Sequence, residues 1–181
     1  MPEFAVQPLL KTPTVAIRDV YCLGSHRHQS AEESTATTQL VFPYRGVFVR
    51  HQGSDQAVAE ANQVLFFNAT EGYRVSHPVP GGDASLTVVI SESLLREMAP
   101  RALLRDGAAL AFQQQRLRID PRAQALVALL RHSLWEKIAR ASQVHCAGRH
   151  GHGFHADAEG TNDFARNPGN DASDAARRAA R

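Results

Sequence analysis

A chain of 181 residues, 43% hydrophobic and 21% charged, has room for one globular domain and an appendage. Its formal net charge of +2 is too small to draw nucleic acid by the overall field, and no apolar run approaches the ~20 residues that span a bilayer. Two distant cysteines, Cys22 and Cys146, make no disulfide framework, and Met1-Pro-Glu-Phe4 lacks the basic and apolar parts of a signal peptide, so a reducing, cytoplasmic setting is expected.

Pro2, Pro8 and Pro13 keep the first dozen residues from forming a helix. Thr14 to Cys22 alternates like a strand, with Val15, Ile17 and Asp19 falling on one face. Gly24 to Thr38 is polar and reads as a long loop, a length that in a compact domain is usually functional or disordered. From Gln39 to Ser91 the chain is a run of short strands, predicted over 39–44, 46–51, 56–59, 63–68, 72–77 and 84–90. Each is rich in β-branched or aromatic residues, and each break carries turn formers such as Arg45-Gly46, Gly53-Ser54-Asp55 and Pro80-Gly81-Gly82-Asp83. This punctuation argues for an antiparallel sandwich or barrel. A barrel of about this strand number is either filled by side chains or holds one small ligand.

Ser91 is a helix cap for Glu92 to Ala99, which Pro100 stops. Leu110 to Ile119 is apolar enough to add a strand. Asp120-Pro121 starts a second helix that runs to about Ser142. Leu126, Leu129, Leu130, Leu134 and Ile138 recur along it at helical spacing, and Val127 and Trp135 widen the apolar surface. Such a stripe packs on the barrel or on a second copy of itself, and its width favours a dimer contact through Leu126, Leu130, Leu134 and Ile138. Beyond it there is no Leu, Ile, Val, Met or Trp from His145 to Arg181. That segment cannot bury enough apolar surface to offset its ordering entropy and reads as a disordered tail, with the texture of a GC-rich gene read out of frame. The organisation is therefore a barrel over 1–100, a strand and helical extension over 101–143, and the tail over 144–181.

Three clusters carry chemistry. His26-x-His28-x-x-x-Glu32, with Glu33 next, has the spacing of a metal half-site, and on a strand His26 and His28 would point the same way into a barrel. His77 is the fourth candidate, and imidazole with carboxylate suits Fe, Mn, Ni or Zn. Spacing alone does not make a site, and a solvated polar turn with Glu32 and Glu33 neutralising nearby Arg is the weightier reading. Tyr73, Val75 and His77 share one face near strand ends, where a few polar groups around an apolar pocket would hold a small ligand. His145, Cys146, His150, His152 and His155 lie in the tail, where an incidental His-rich tract outweighs a metal site.

The stretches Gln39 to His51, Asn62 to Asn68 and Glu71 to Pro78, continued by Pro80-Gly-Gly-Asp83 and Leu94-Leu-Arg-Glu97, resemble the N-terminal ligand-sensing domain of AraC-type transcriptional regulators. The pattern covers about half the chain. Members of that family are similar to cupins: a small β-barrel, then helices that dimerise, then two helix-turn-helix units that bind DNA. The resemblance implies a mainly β, cupin-like antiparallel barrel followed by C-terminal α-helices, with an effector pocket inside the barrel. With His26 and His28, the positions Phe48, Tyr73 and His77 on matching strands make up the candidate ligand-binding set.

After the Asp120 helix the sequence has no amphipathic helix pair and no basic recognition helix, so direct DNA binding by this chain is not expected. The expectation is the effector-sensing and dimerisation portion of such a regulator, cut off before its DNA-binding domain. It would be cytoplasmic, without catalytic activity, metal or cofactor. Its partners would be a small-molecule effector and a second copy or a full-length regulator, with no membrane contact. Two alternatives stay open. One is a metal-dependent cupin enzyme of dioxygenase or isomerase type using His26, His28, Glu32 and His77. The other is a remnant with a packed barrel and no ligand.

Overall fold

The computed structural model describes residues 4–24, 27–105 and 110–147. The chain divides into two units, Met1–Val144 and His145–Arg181. The predicted disordered tail over 144–181 lies, past residue 147, outside the described residues, and so does His26.

Eight strands come first: β1 (Phe4–Lys11), β2 (Val15–Cys22), β3 (Gln39–Arg45), β4 (Phe48–Gln52), β5 (Asp55–Ala59), β6 (Gln63–Phe67), β7 (Arg74–Ser76) and β8 (Asp83–Ile90). Helix α1 (Glu92–Met98), the short strands β9 (Leu104–Arg105), β10 (Ala111–Phe112) and β11 (Arg116–Arg118), and the long helix α2 (Pro121–Ala147) follow. One sheet runs β1-β2-β8-β3-β6-β11, another β5-β4-β7, and β9 pairs with β10. Every pair of these strands is antiparallel. The fold is mainly β, followed by a C-terminal helix, as the spacing of turns predicts.

Both larger sheets turn an apolar face to a shared interior. Val41 of β3 and Leu65 and Phe67 of β6 pack there against Phe48 of β4 and Ala57 and Ala59 of β5, with Tyr73 and Val75 closing the cluster. Alternation sends the neighbours outward. Val64, Phe66, Leu40 and Phe42 line the opposite face of the six-stranded sheet, where Leu95 of α1 and Leu110 and Phe112 cover them. Phe66 and Phe67 are thus both buried, on opposite faces, and Phe66 stacks on Phe112 with ring centroids 4.0 Å apart.

β1 is the main departure from expectation. Its prolines exclude a helix but not an edge strand, because an edge tolerates a missing donor. Pro8 sits where the register against β2 shifts, so the lost N–H falls at an irregular point of the ladder. The helix starts follow the sequence: Ser91 Oγ accepts from the Leu94 amide at 3.4 Å, and Asp120 Oδ1 from that of Ala123 at 2.7 Å. None of the described helices is long and apolar enough to cross a membrane.

Candidate functional site

The interior between the two sheets is not purely apolar. Arg50 alternates with Phe48 along β4, so it points inward, and it is 1% exposed. Its guanidinium lies over the Phe67 ring at 4.4 Å and the Tyr73 ring at 5.8 Å. It donates to the Phe66 carbonyl and to Gln52 Oε1. Gln52 passes a hydrogen bond of 2.6 Å to Glu71, which also accepts from Asn68 at 3.0 Å and pairs with Arg105. Asn68 is anchored in turn by two hydrogen bonds with the Phe112 backbone. A polar path therefore runs from the interior to the surface.

A second guanidinium reaches the same face. Arg18 of β2 lies opposite Thr87 of β8, and Thr87 lies opposite Val41 of β3, whose side chain is in the interior cluster. Register thus puts Arg18 and Thr87 on the inner face, with buried Ser85 two residues away. The Nε atoms of Arg18 and Arg50 are both buried and take no hydrogen-bond partner. Burial pulls both guanidinium pKa values down, for Arg50 against the charge of Glu71. Burial also pushes the Tyr73 phenol up to about 12, helped by the charge of Glu33. Burial disfavours a charged Glu71, but hydrogen bonds from Arg105, Gln52 and Asn68 outweigh it and hold this carboxyl below the usual range.

At one end of the interior, His77 Nε2 lies 2.8 Å from Asp83 Oδ2. Asp83 begins β8 opposite Cys22, and one donor atom from each of Cys22, His77 and Asp83 lies within 4.8 Å of the other two. Burial raises the Asp83 carboxyl, against the stabilising charges of His77 and Arg45.

Outside the barrel a buried carboxylate clamps the helix. Asp19 is fully buried and accepts from Tyr21 (2.9 Å), Tyr44 (2.6 Å), Arg131 Nε (2.9 Å) and Trp135 Nε1 (2.6 Å). Leu134, with Val127, Trp135 and Ile138, packs beside this clamp on Leu9, Ile17 and Leu86.

The structure sorts the residues read from the sequence. Phe48 and Tyr73 are in the interior, Tyr73 edge-on to Phe67 at 4.7 Å. His77 joins Cys22 and Asp83. His28 is exposed, and Glu32 is exposed and pairs with Arg74 at 3.5 Å. Among the described residues neither joins a cluster with His77. The helix stripe divides: Leu134 and Ile138 face the chain's own sheet, whereas Leu126, Leu129 and Leu130 remain 60%, 61% and 41% exposed.

Arg50, Arg18, Asp19, Asp83 and Cys22 were not among the sequence candidates. For Arg50 the signal is weak: it alternates with Phe48, but also with Gln52. For Asp19 it is the face shared with Val15 and Ile17. Nothing in the sequence joins Cys22 to Asp83, because that contact is made by strand register.

No protein-family model matches the chain, and no curated protein matches it. Among solved structures it is similar to a candidate mannose-6-phosphate isomerase of Ralstonia eutropha, at 18% identity and a TM-score of 0.43, over 50% of this chain and 87% of that one. It is also similar to a cupin superfamily protein of Desulfitobacterium hafniense, at 15% identity and a TM-score of 0.40, over 49% and 78%. The cupin domain of Schizosaccharomyces pombe Cnp3 is similar at 9% identity and a TM-score of 0.44, over 54% and 71%.

Proposed function

We propose that the chain is the effector-sensing and dimerisation portion of an AraC-type regulator, and that its effector is a small organic anion held inside the barrel. The observation that carries this is the pair of inward guanidiniums, Arg18 and Arg50, each with a buried Nε that takes no hydrogen-bond partner. A buried donor left unpaired costs about 1–3 kcal/mol. A carboxylate or phosphate placed between such groups and the rings of Phe67 and Tyr73 recovers that cost and supplies charge-assisted hydrogen bonds. Ser85 and Thr87 add hydroxyls on the same face. The polar path through Gln52 and Glu71 links this interior to Arg105.

In this reading α2 belongs to the sensor. One face is fixed to the barrel at Asp19, and the other presents Leu126, Leu129 and Leu130 for a second copy or for a full-length regulator of the same kind. The chain acts by binding, not catalysis, in the cytoplasm, and DNA recognition is not assigned to it. The surface positions of His28 and Glu32 give little support to the metal-dependent enzyme built on His26, His28, Glu32 and His77.

A thermal-unfolding screen of small carboxylic and phosphorylated acids tests the reading. A true effector at a hundred times its Kd stabilises the fold by about 2.7 kcal/mol. A neutral amide or alcohol of the same shape should not. A panel in which neutral compounds stabilise as well as acids would reject an anion site.

A further inference from the structure

Cys22, His77 and Asp83 bring a thiol, an imidazole and a carboxylate to one point. The convergence is built by the backbone. Cys22 and Asp83 are register partners at the end of the β2–β8 ladder, and His77 directly follows β7. The segments after Cys22 and before Asp83 approach so closely that a Cβ on Gly82 would overlap the Cys22 carbonyl oxygen, and Gly82 has φ +70°. Asp83 is 5% exposed, and the His77 side chain 11%. Asp83 Oδ2 is buried and lies 2.8 Å from His77 Nε2. A buried carboxylate oxygen and an imidazole nitrogen are therefore held against each other beside the Cys22 thiol.

The donor set is selective. Calcium and magnesium take oxygen ligands, whereas zinc accepts sulfur, nitrogen and oxygen together. Zinc bonds of roughly 2.0–2.3 Å place tetrahedral donors about 3.3–3.8 Å apart. The three donors lie within 4.8 Å of one another, close to that spacing.

We propose that Cys22, His77 and Asp83 form a three-ligand site for Zn²⁺, with its fourth position open to water or another small ligand. This site differs from the His26, His28, Glu32 and His77 pattern and does not rest on the effector reading. Zinc there ties the ends of β2 and β8 to the segment after β7, so loading stiffens one end of the barrel.

The test uses the full chain, stripped with a chelator and titrated with Zn²⁺, then with Co²⁺ as a spectroscopic stand-in. The expected result is one equivalent per chain and a thiolate-to-cobalt charge-transfer band. The band should vanish in Cys22→Ser, and zinc affinity should fall at least tenfold in Asp83→Asn. A variant with His145, His150, His152 and His155 changed to Ala and Cys146 to Ser should keep both stoichiometry and band. A band that survives Cys22→Ser, or that is lost with the tail changes, overturns the site. Thiol labelling in the Cys146→Ser background needs no change at the site itself. Zinc should slow the modification of Cys22 at least tenfold, and an unchanged rate would also overturn it.

Discussion

Trp135 donates its indole N–H to Asp19 at 2.6 Å, so the middle of α2 is tied to the centre of β2 by a buried carboxylate. Arg131, one turn earlier, adds a charged hydrogen bond to the same oxygen and lies over the Tyr44 ring at 4.0 Å. Burial and the bond to Asp19 push the Tyr44 phenol up, which keeps it a neutral donor. These contacts fix the helix to the β2–β3 face.

Removing that carboxylate leaves Trp135 without its acceptor and Arg131 with the Tyr21 hydroxyl alone. Asp19→Ala should cost about 3–5 kcal/mol, the usual effect of breaking a buried charged pair. Urea unfolding measures the loss. Trp135 is the single tryptophan, so its fluorescence should shift red in the folded variant if α2 lifts from the sheet.

The two faces of α2 should respond differently to substitution. Leu126→Ser, Leu129→Ser and Leu130→Ser together should leave Trp135 fluorescence unchanged and lower the mass in solution from dimer to monomer. Leu134→Ala should cost about 2–5 kcal/mol because that side chain is buried against the sheet. Sedimentation of both variants separates an interface between chains from packing within one. An unchanged mass in the triple variant would reject the leucine surface.

Stability should also depend on acid through Glu71. Its folded pKa lies below the ordinary 4.5, so its contribution is present above that value and is lost as pH falls through the lower, folded one. Unfolding free energy should decline as pH is taken below 4.5. Glu71→Gln should flatten part of that decline while leaving the slope near neutral pH unchanged. Denaturant titrations across the acid range give the comparison.

Much of the fold was legible because turn formers separate the strands so regularly that chain order alone sets most of them. The adjacent Phe66 and Phe67 could be placed on opposite faces, but only the covering Phe112 and Leu95 explain why both are buried. β1 is not legible because Pro2, Pro8 and Pro13 argue against a helix without arguing for an edge strand. The start of α2 is legible in Asp120-Pro121, and Asp120 caps the helix. Which leucines face the sheet depends on how α2 rotates to bring Trp135 and Arg131 to Asp19, and periodicity does not carry that. The site was the least legible part. Arg50 and Arg18 are ordinary surface residues until register turns them inward, and Cys22 meets Asp83 across sixty intervening residues.

Arg50→Met separates recognition from folding. The variant loses bonds to Phe66 and Gln52 but also removes a desolvated charge, so its stability should stay within about 2 kcal/mol of wild type. Its response to the stabilising acid should disappear. A variant that unfolds outright would assign Arg50 to the core rather than to a ligand.

The most direct measurement is calorimetric titration of the best stabilising acid into wild type, Arg50→Met and Arg18→Met, with the neutral amide of that acid as control. The anion-sensor account predicts one site per chain and an affinity at least tenfold weaker in each variant, about 1.4 kcal/mol or more, with the amide silent. Equal affinity in wild type and both variants, or equal binding of acid and amide, would contradict it.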